Sequence, residues 1–98
     1  MEPSRIQEIV LEALKNANRT RKAGEELPVS ADAPLFGPGS RLDSLGLVVL
    51  LVDIEEALHA EGVDVTLSDE KAVSRTRSPF RTVSSMVRYI ADLLAAGA

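Results

Sequence analysis

Leu42-Asp43-Ser44-Leu45-Gly46-Leu47-Val48-Val49-Leu50-Leu51-Val52-Asp53-Ile54-Glu55-Glu56-Ala57-Leu58 opens on a polar pair and continues as an apolar run. Asp43 is a residue type that caps helix starts, which makes Ser44 the first helical residue. Leu47, Leu51, Ile54 and Leu58 then recur at i, i+4, i+7 and i+11, one face of a 3.6-residue period. The spacing predicts a helix over about 44–61, stopped by Gly62.

Upstream, Pro28, Pro34, Gly37, Pro38 and Gly39 punctuate a long loop over about 19–42, with Leu27, Val29, Leu35 and Phe36 as its available apolar anchors. A loop of that length in a small domain is usually functional or tied down by its own side chains. Before it, Ile6, Ile9, Val10, Ala13, Leu14 and Ala17 form a helical stripe, with Glu8, Glu12 and Lys15 facing away. Ser4 is the candidate N-cap of this helix, and Gln7 could complete a capping box. Downstream, Ser68 to Val73 is read as one short helix over about 68–73, with Asp69 and Glu70 in its first turn. After the polar break at Arg75 to Pro79, Thr82 caps a last helix over about 83–96, whose stripe is Val83, Met86, Val87, Ile90, Leu93 and Leu94. The expected fold is all-α: a small four-helix bundle of three main helices and one short one, in a single domain over 1–98.

Composition narrows the chemistry. The 98 residues are 45% hydrophobic and include no Cys, no Trp and one His, so disulfides, thiol nucleophiles and thiolate or His-rich metal sites are excluded. No apolar run approaches the roughly 20 residues that span a bilayer, and Met1 to Asn18 is charged throughout, unlike a signal peptide; a cytoplasmic monomer is expected. Residues 1–30 carry five bases and five acids, 31–70 one base and nine acids, and 71–98 five bases and one acid. An acidic middle third argues against nucleic acid and for basic protein partners.

An enzyme built on Ser44 with His59 as base fails on distance, because fifteen residues of helix separate them by roughly 22 Å along the axis. His59 is read as a solvated residue near a helix end, and Glu55 and Glu56 as a solvated face. What remains is a Ser at the start of a long helix, directly after a Pro/Gly-rich loop.

Asp43-Ser44-Leu45 at that place, with Pro34-Leu35-Phe36-Gly37 in the loop, Ser44 to Glu56, Phe80-Arg81-Thr82-Val83 and Tyr89-Ile90, resembles the acyl carrier protein family and its peptidyl carrier relatives. The hallmark of that family is a D-S-L motif at the start of the second helix of a four-helix bundle. The resemblance implies that Ser44 accepts 4′-phosphopantetheine from coenzyme A through a separate phosphopantetheinyl transferase, with Asp43 capping the turn beside it. It implies a phosphoprotein that catalyses nothing and carries an acyl or aminoacyl group as a thioester, as in fatty acid or lipid biosynthesis, to acyl-activating, acyltransferase or ketosynthase-type enzymes. A phosphodiester at a helix N-terminus is also physically favourable. By the same resemblance, Leu45, Val48 and Val52 touch partners or edge the acyl-binding region, with Asp53, Glu55 and Glu56 for basic partners. A sequestered chain would enter among Leu47, Leu51 and Ile54. The bland alternative for Val52 and Leu45 is packing against the loop or another helix.

The chain departs from the common fatty-acid-synthesis pattern at Gly46 and Val49, where acids are typical, so docking there gains an apolar component from Leu47 to Val49. Gly62 to Arg81 is longer than usual and contains Arg75, Arg77 and Arg81, which either serve partners or balance the acidic middle. The departures imply a specialised free-standing carrier with dedicated enzymes. Two rivals stand beside it: an unmodified helical interaction module using Leu45 to Val52, and a serine hydrolase disfavoured by the His59 distance.

Overall fold

A computed structural model describes residues 1–35, 40, 42–67 and 81–96. Three helices carry the fold among them: α1 (Pro3–Asn18), α2 (Ser44–Ala60) and α3 (Val83–Ala95). No strand is present among the described residues. The short helix expected over 68–73, together with Phe36, Arg75, Arg77 and Phe80, lies outside them.

Each helix forms because its apolar stripe meets the others in one buried cluster. From α1 come Ile6, Ile9, Val10, Ala13 and Leu14, from α2 Leu47, Leu50, Leu51, Ile54 and Leu58, and from α3 Val83, Met86, Val87 and Ile90. Ala17, Leu93 and Leu94, expected in the stripes, pack only partly against the cluster. α1 contacts both other helices and is the centre of the arrangement. The α1 N-terminus reaches the α2 C-terminus, where Arg5 Nε donates to Glu61 Oε1 at 2.9 Å, so the two helices run antiparallel. Arg5 also meets Glu8 at 3.2 Å. Hydrogen bonding and charge attraction from Arg5 hold the Glu61 carboxyl below the usual carboxylate range. Any stability this adds is present at neutral pH and fades as acid protonates Glu61.

The helix ends follow local chemistry, with one correction. α1 starts at Pro3 with Glu2 as N-cap and no side-chain cap, not at a Ser4 cap with Gln7. Pro is favoured in the first helical position because its φ is preset and its missing N–H would be unpaired there anyway, so it pulls the start upstream. α2 ends as expected at Gly62, whose φ of 84° is open to glycine without a Cβ penalty. Gly62 N–H donates to His59 O and Val63 N–H to Leu58 O, each at 2.9 Å, the paired bonds of a Schellman stop.

α3 starts at Thr82, as its sequence predicts. Thr82 Oγ1 accepts from Ser85 N–H at 3.2 Å, and Ser85 Oγ accepts from Thr82 N–H at 3.0 Å, a complete capping box. Thr82→Ala is expected to cost about 1 kcal/mol, read as a lower urea midpoint with an unchanged m-value.

The long loop is tied down at several points. Asn18, at the end of α1, clamps Leu27 from both sides: its Oδ1 accepts from Leu27 N–H at 2.7 Å and its Nδ2 donates to Leu27 O at 2.9 Å. Further along, Leu35 N–H donates to Arg81 O at 2.7 Å, Val83 N–H to Ala33 O at 3.1 Å, and Ser84 N–H to Ala31 O at 2.9 Å. Ser84 Oγ donates to the same Ala31 carbonyl at 2.8 Å, and Pro34 pairs with Thr82 in an isolated antiparallel bridge. This clasp fastens the loop to the start of α3. Leu27 and Leu35 are the buried anchors, joined by Ala33, whereas Val29 is 37% exposed and anchors nothing.

Candidate functional site

α2 presents two apolar faces, which explains why so few of its residues are polar. Leu47, Leu50, Leu51, Ile54 and Leu58 face the core; Leu45, Val49, Val52 and Glu56, at i, i+4, i+7 and i+11, lie along the opposite side. Leu45 is 72% exposed, Val49 53% and Val52 36%. Exposed apolar residues are thus gathered on one helix face, with Asp43, Asp53 and Glu56 also exposed.

The predicted cap is in place. Asp43 accepts the Gly46 N–H through Oδ1 at 2.6 Å, while its own carbonyl takes Leu47 N–H at 2.9 Å. A Cβ at Gly46 would stand 3.0 Å from that Oδ1 and 3.1 Å from Leu42 Cδ2, so the glycine keeps the cap close. Ser44 is the first residue of α2. The positive end of the α2 dipole therefore lies beside residue 44.

The other residues expected at the surface divide. Val48 is half-buried, while Val52, Asp53 and Glu56 are exposed. Glu55 is half-buried and its carboxylate accepts the Leu67 N–H, so it serves the 63–67 segment and is not part of a solvated face. Leu47, expected to add to the apolar docking component, is 3% exposed and belongs to the core; Val49 supplies that component. His59 is exposed and lies fifteen residues from Ser44 along the same helix, roughly 22 Å of helix axis.

Beside the start of α2 lies an open cleft of about 480 Å³. Leu42, Asp43, Leu45, Gly46, Val49 and Asp53 form its α2 side, and Asn16, Ala17, Thr20 and Arg21 its α1 side. The α1 contribution is absent from the sequence-based expectation, because it depends on how closely two helices approach and has no motif of its own. Among the described residues, no group of His, Asp and Glu could hold a metal ion. No helix among them is long and apolar enough to cross a membrane.

No family model, curated protein or solved structure matches the chain.

Proposed function

We propose that the protein is a non-enzymatic carrier of acyl or aminoacyl groups, modified with 4′-phosphopantetheine on Ser44. The observation that supports this best is Asp43-Ser44-Leu45 at the first turn of a long helix, with Asp43 as its side-chain cap and an exposed apolar and acidic face continuing down that helix. In loading, the Ser44 oxygen forms a new ester bond to the phosphorus that bears the pantetheine. The pyrophosphate bond of coenzyme A breaks, adenosine bisphosphate leaves, and the serine proton passes to a base of the transferase. The α2 dipole favours the anionic ester, and the Asp43 cap keeps the turn fixed. The group supplies a thiol, which a chain without cysteine lacks.

The four-helix, carrier-like form of the bundle, a cytoplasmic monomer, and acyl-activating, acyltransferase or ketosynthase-type partners belong to the same reading. The exposed Leu45, Val49, Val52, Asp53 and Glu56 suit a partner surface of mixed apolar and basic character. Incubation with coenzyme A and a broad-specificity phosphopantetheinyl transferase, read by intact mass and fragmentation, is expected to add one phosphopantetheine at Ser44. No increment from a folded sample, with a control carrier loaded alongside, would sink the reading. The exposed face of α2 would then favour the second one, an unmodified helical module that binds a partner through Leu45 to Val52.

A further inference from the structure

We propose that Gly46 is a positioning residue for loading: having no side chain, it lets Leu42 and Asp43 close over the first turn of α2 and so fixes the main chain of residue 44. The proposal rests on the carrier reading and deepens it with a residue outside the Asp43-Ser44-Leu45 motif.

A glycine at this place needs a reason, because glycine is a poor helix former and Gly46 sits in the first turn of a 17-residue helix. Conformation does not supply it. Gly24 and Gly62 have φ of 88° and 84°, a region that favours glycine, and a Cβ on either would meet nothing within 4 Å. Gly46 is the converse case: its φ is not positive, and its surroundings are crowded. A Cβ there would meet Asp43 Oδ1 at 3.0 Å and Leu42 Cδ2 at 3.1 Å, inside the separation of about 3.5–4.0 Å at which carbon atoms attract best. Each neighbour is held where it is. The Asp43 oxygen accepts the Gly46 N–H at 2.6 Å, and Leu42 is half-buried against the core cluster.

Residue 44 lies inside this arrangement. Asp43 Oδ1 accepts from Gly46 N–H and Asp43 O from Leu47 N–H at 2.9 Å, so two bonds from one residue close over residue 44. Leu47 is buried and Leu42 packs on the same cluster, which ties both ends of the span to the core. A side chain at 46 forces Leu42 and the cap apart by a few tenths of an ångström, and the main chain between them moves with the cap. Loading needs the residue 44 oxygen close to the phosphorus and in line with the bond that breaks, a geometry in which small displacements are costly. Leu45, Val49 and Val52 keep their side chains on the exposed face, so the loss falls on turnover rather than on docking.

The test follows loading with coenzyme A and the transferase by intact mass over time, at varied carrier concentration. Wild type, Gly46→Ala, Leu42→Ala and the double variant are compared, each below its melting temperature. Alanine is the better helix former and Leu42 is only half-buried, so all are expected to fold. Gly46→Ala is expected to lower kcat about fivefold, with KM within about twofold of wild type. In the Leu42→Ala background, where Cδ2 is gone, the same substitution is expected to lower kcat about twofold or less. Equal kcat in wild type and Gly46→Ala, a change confined to KM, or an equal loss in both backgrounds overturns the assignment and leaves the carrier reading intact. A folded wild type that does not load overturns both.

Discussion

Ser44→Ala is expected to abolish the phosphopantetheine increment completely while shifting stability by no more than about 0.5 kcal/mol. Loading needs an oxygen nucleophile at residue 44, and alanine offers none. The fold does not need it: the cap of α2 is the Asp43 carboxylate on the Gly46 N–H, which the substitution leaves in place. Alanine is also the residue with the most favourable helix propensity, so the first turn loses nothing. Intact mass after incubation with coenzyme A and the transferase reads the first effect, and thermal melting by circular dichroism the second. A melting temperature lowered by many degrees would instead identify Ser44 as a structural residue, and the carrier reading would lose its main support.

Leu51→Ala is expected to have the opposite signature. Leu51 is fully buried on the core face of α2, within the cluster shared with α1 and α3. Truncation leaves a cavity and removes transferred apolar surface, a cost of about 2–5 kcal/mol. That is a large share of the ~5–15 kcal/mol that holds a domain together. Helix propensity does not add to the loss, since alanine is the better helix former. The melting temperature is expected to fall by roughly 10 °C or more. Residue 44 keeps its hydroxyl in this variant, so loading at low temperature, where the protein is folded, should persist and then fail as the temperature approaches the lowered midpoint. A cost under about 1 kcal/mol would contradict the burial of Leu51.

These two expectations draw on parts of the molecule that differ in how far the amino-acid sequence exposes them. The core face of α2 is readable from spacing alone, because Leu47, Leu51, Ile54 and Leu58 recur with the helical period, and all four are buried. Asp43 and Thr82 are readable as caps because a short polar side chain before an apolar period has one obvious use, and both make the bonds expected of them. Ser4 was the plausible cap of α1 by the same logic, yet Pro3 overrides it through backbone geometry rather than side-chain chemistry. Leu47 and Val49 show the limit of apolarity as a signal: two neighbouring aliphatic residues, one in the core and one on the surface, separated only by helical phase. The clasp between the loop and α3 is made mostly of main-chain groups, which every residue possesses, and the cleft beside Ser44 is half built from α1. Neither leaves a pattern along the chain, because each arises from segments far apart in sequence meeting in space.

The clasp has a consequence in time. The bond from Ser84 to Ala31 closes a span of 53 residues, and the loop that leads to Ser44 is fastened through it. Contacts so distant in sequence pay their loop-closure entropy before they return any stabilisation, so α1 and α2 can pair while the clasp is still open. During synthesis, residues 31–35 wait for residues 81–84 to emerge. On the carrier reading, a transferase that recognises the fastened loop together with the start of α2 meets that surface only after residues 81–84 have emerged.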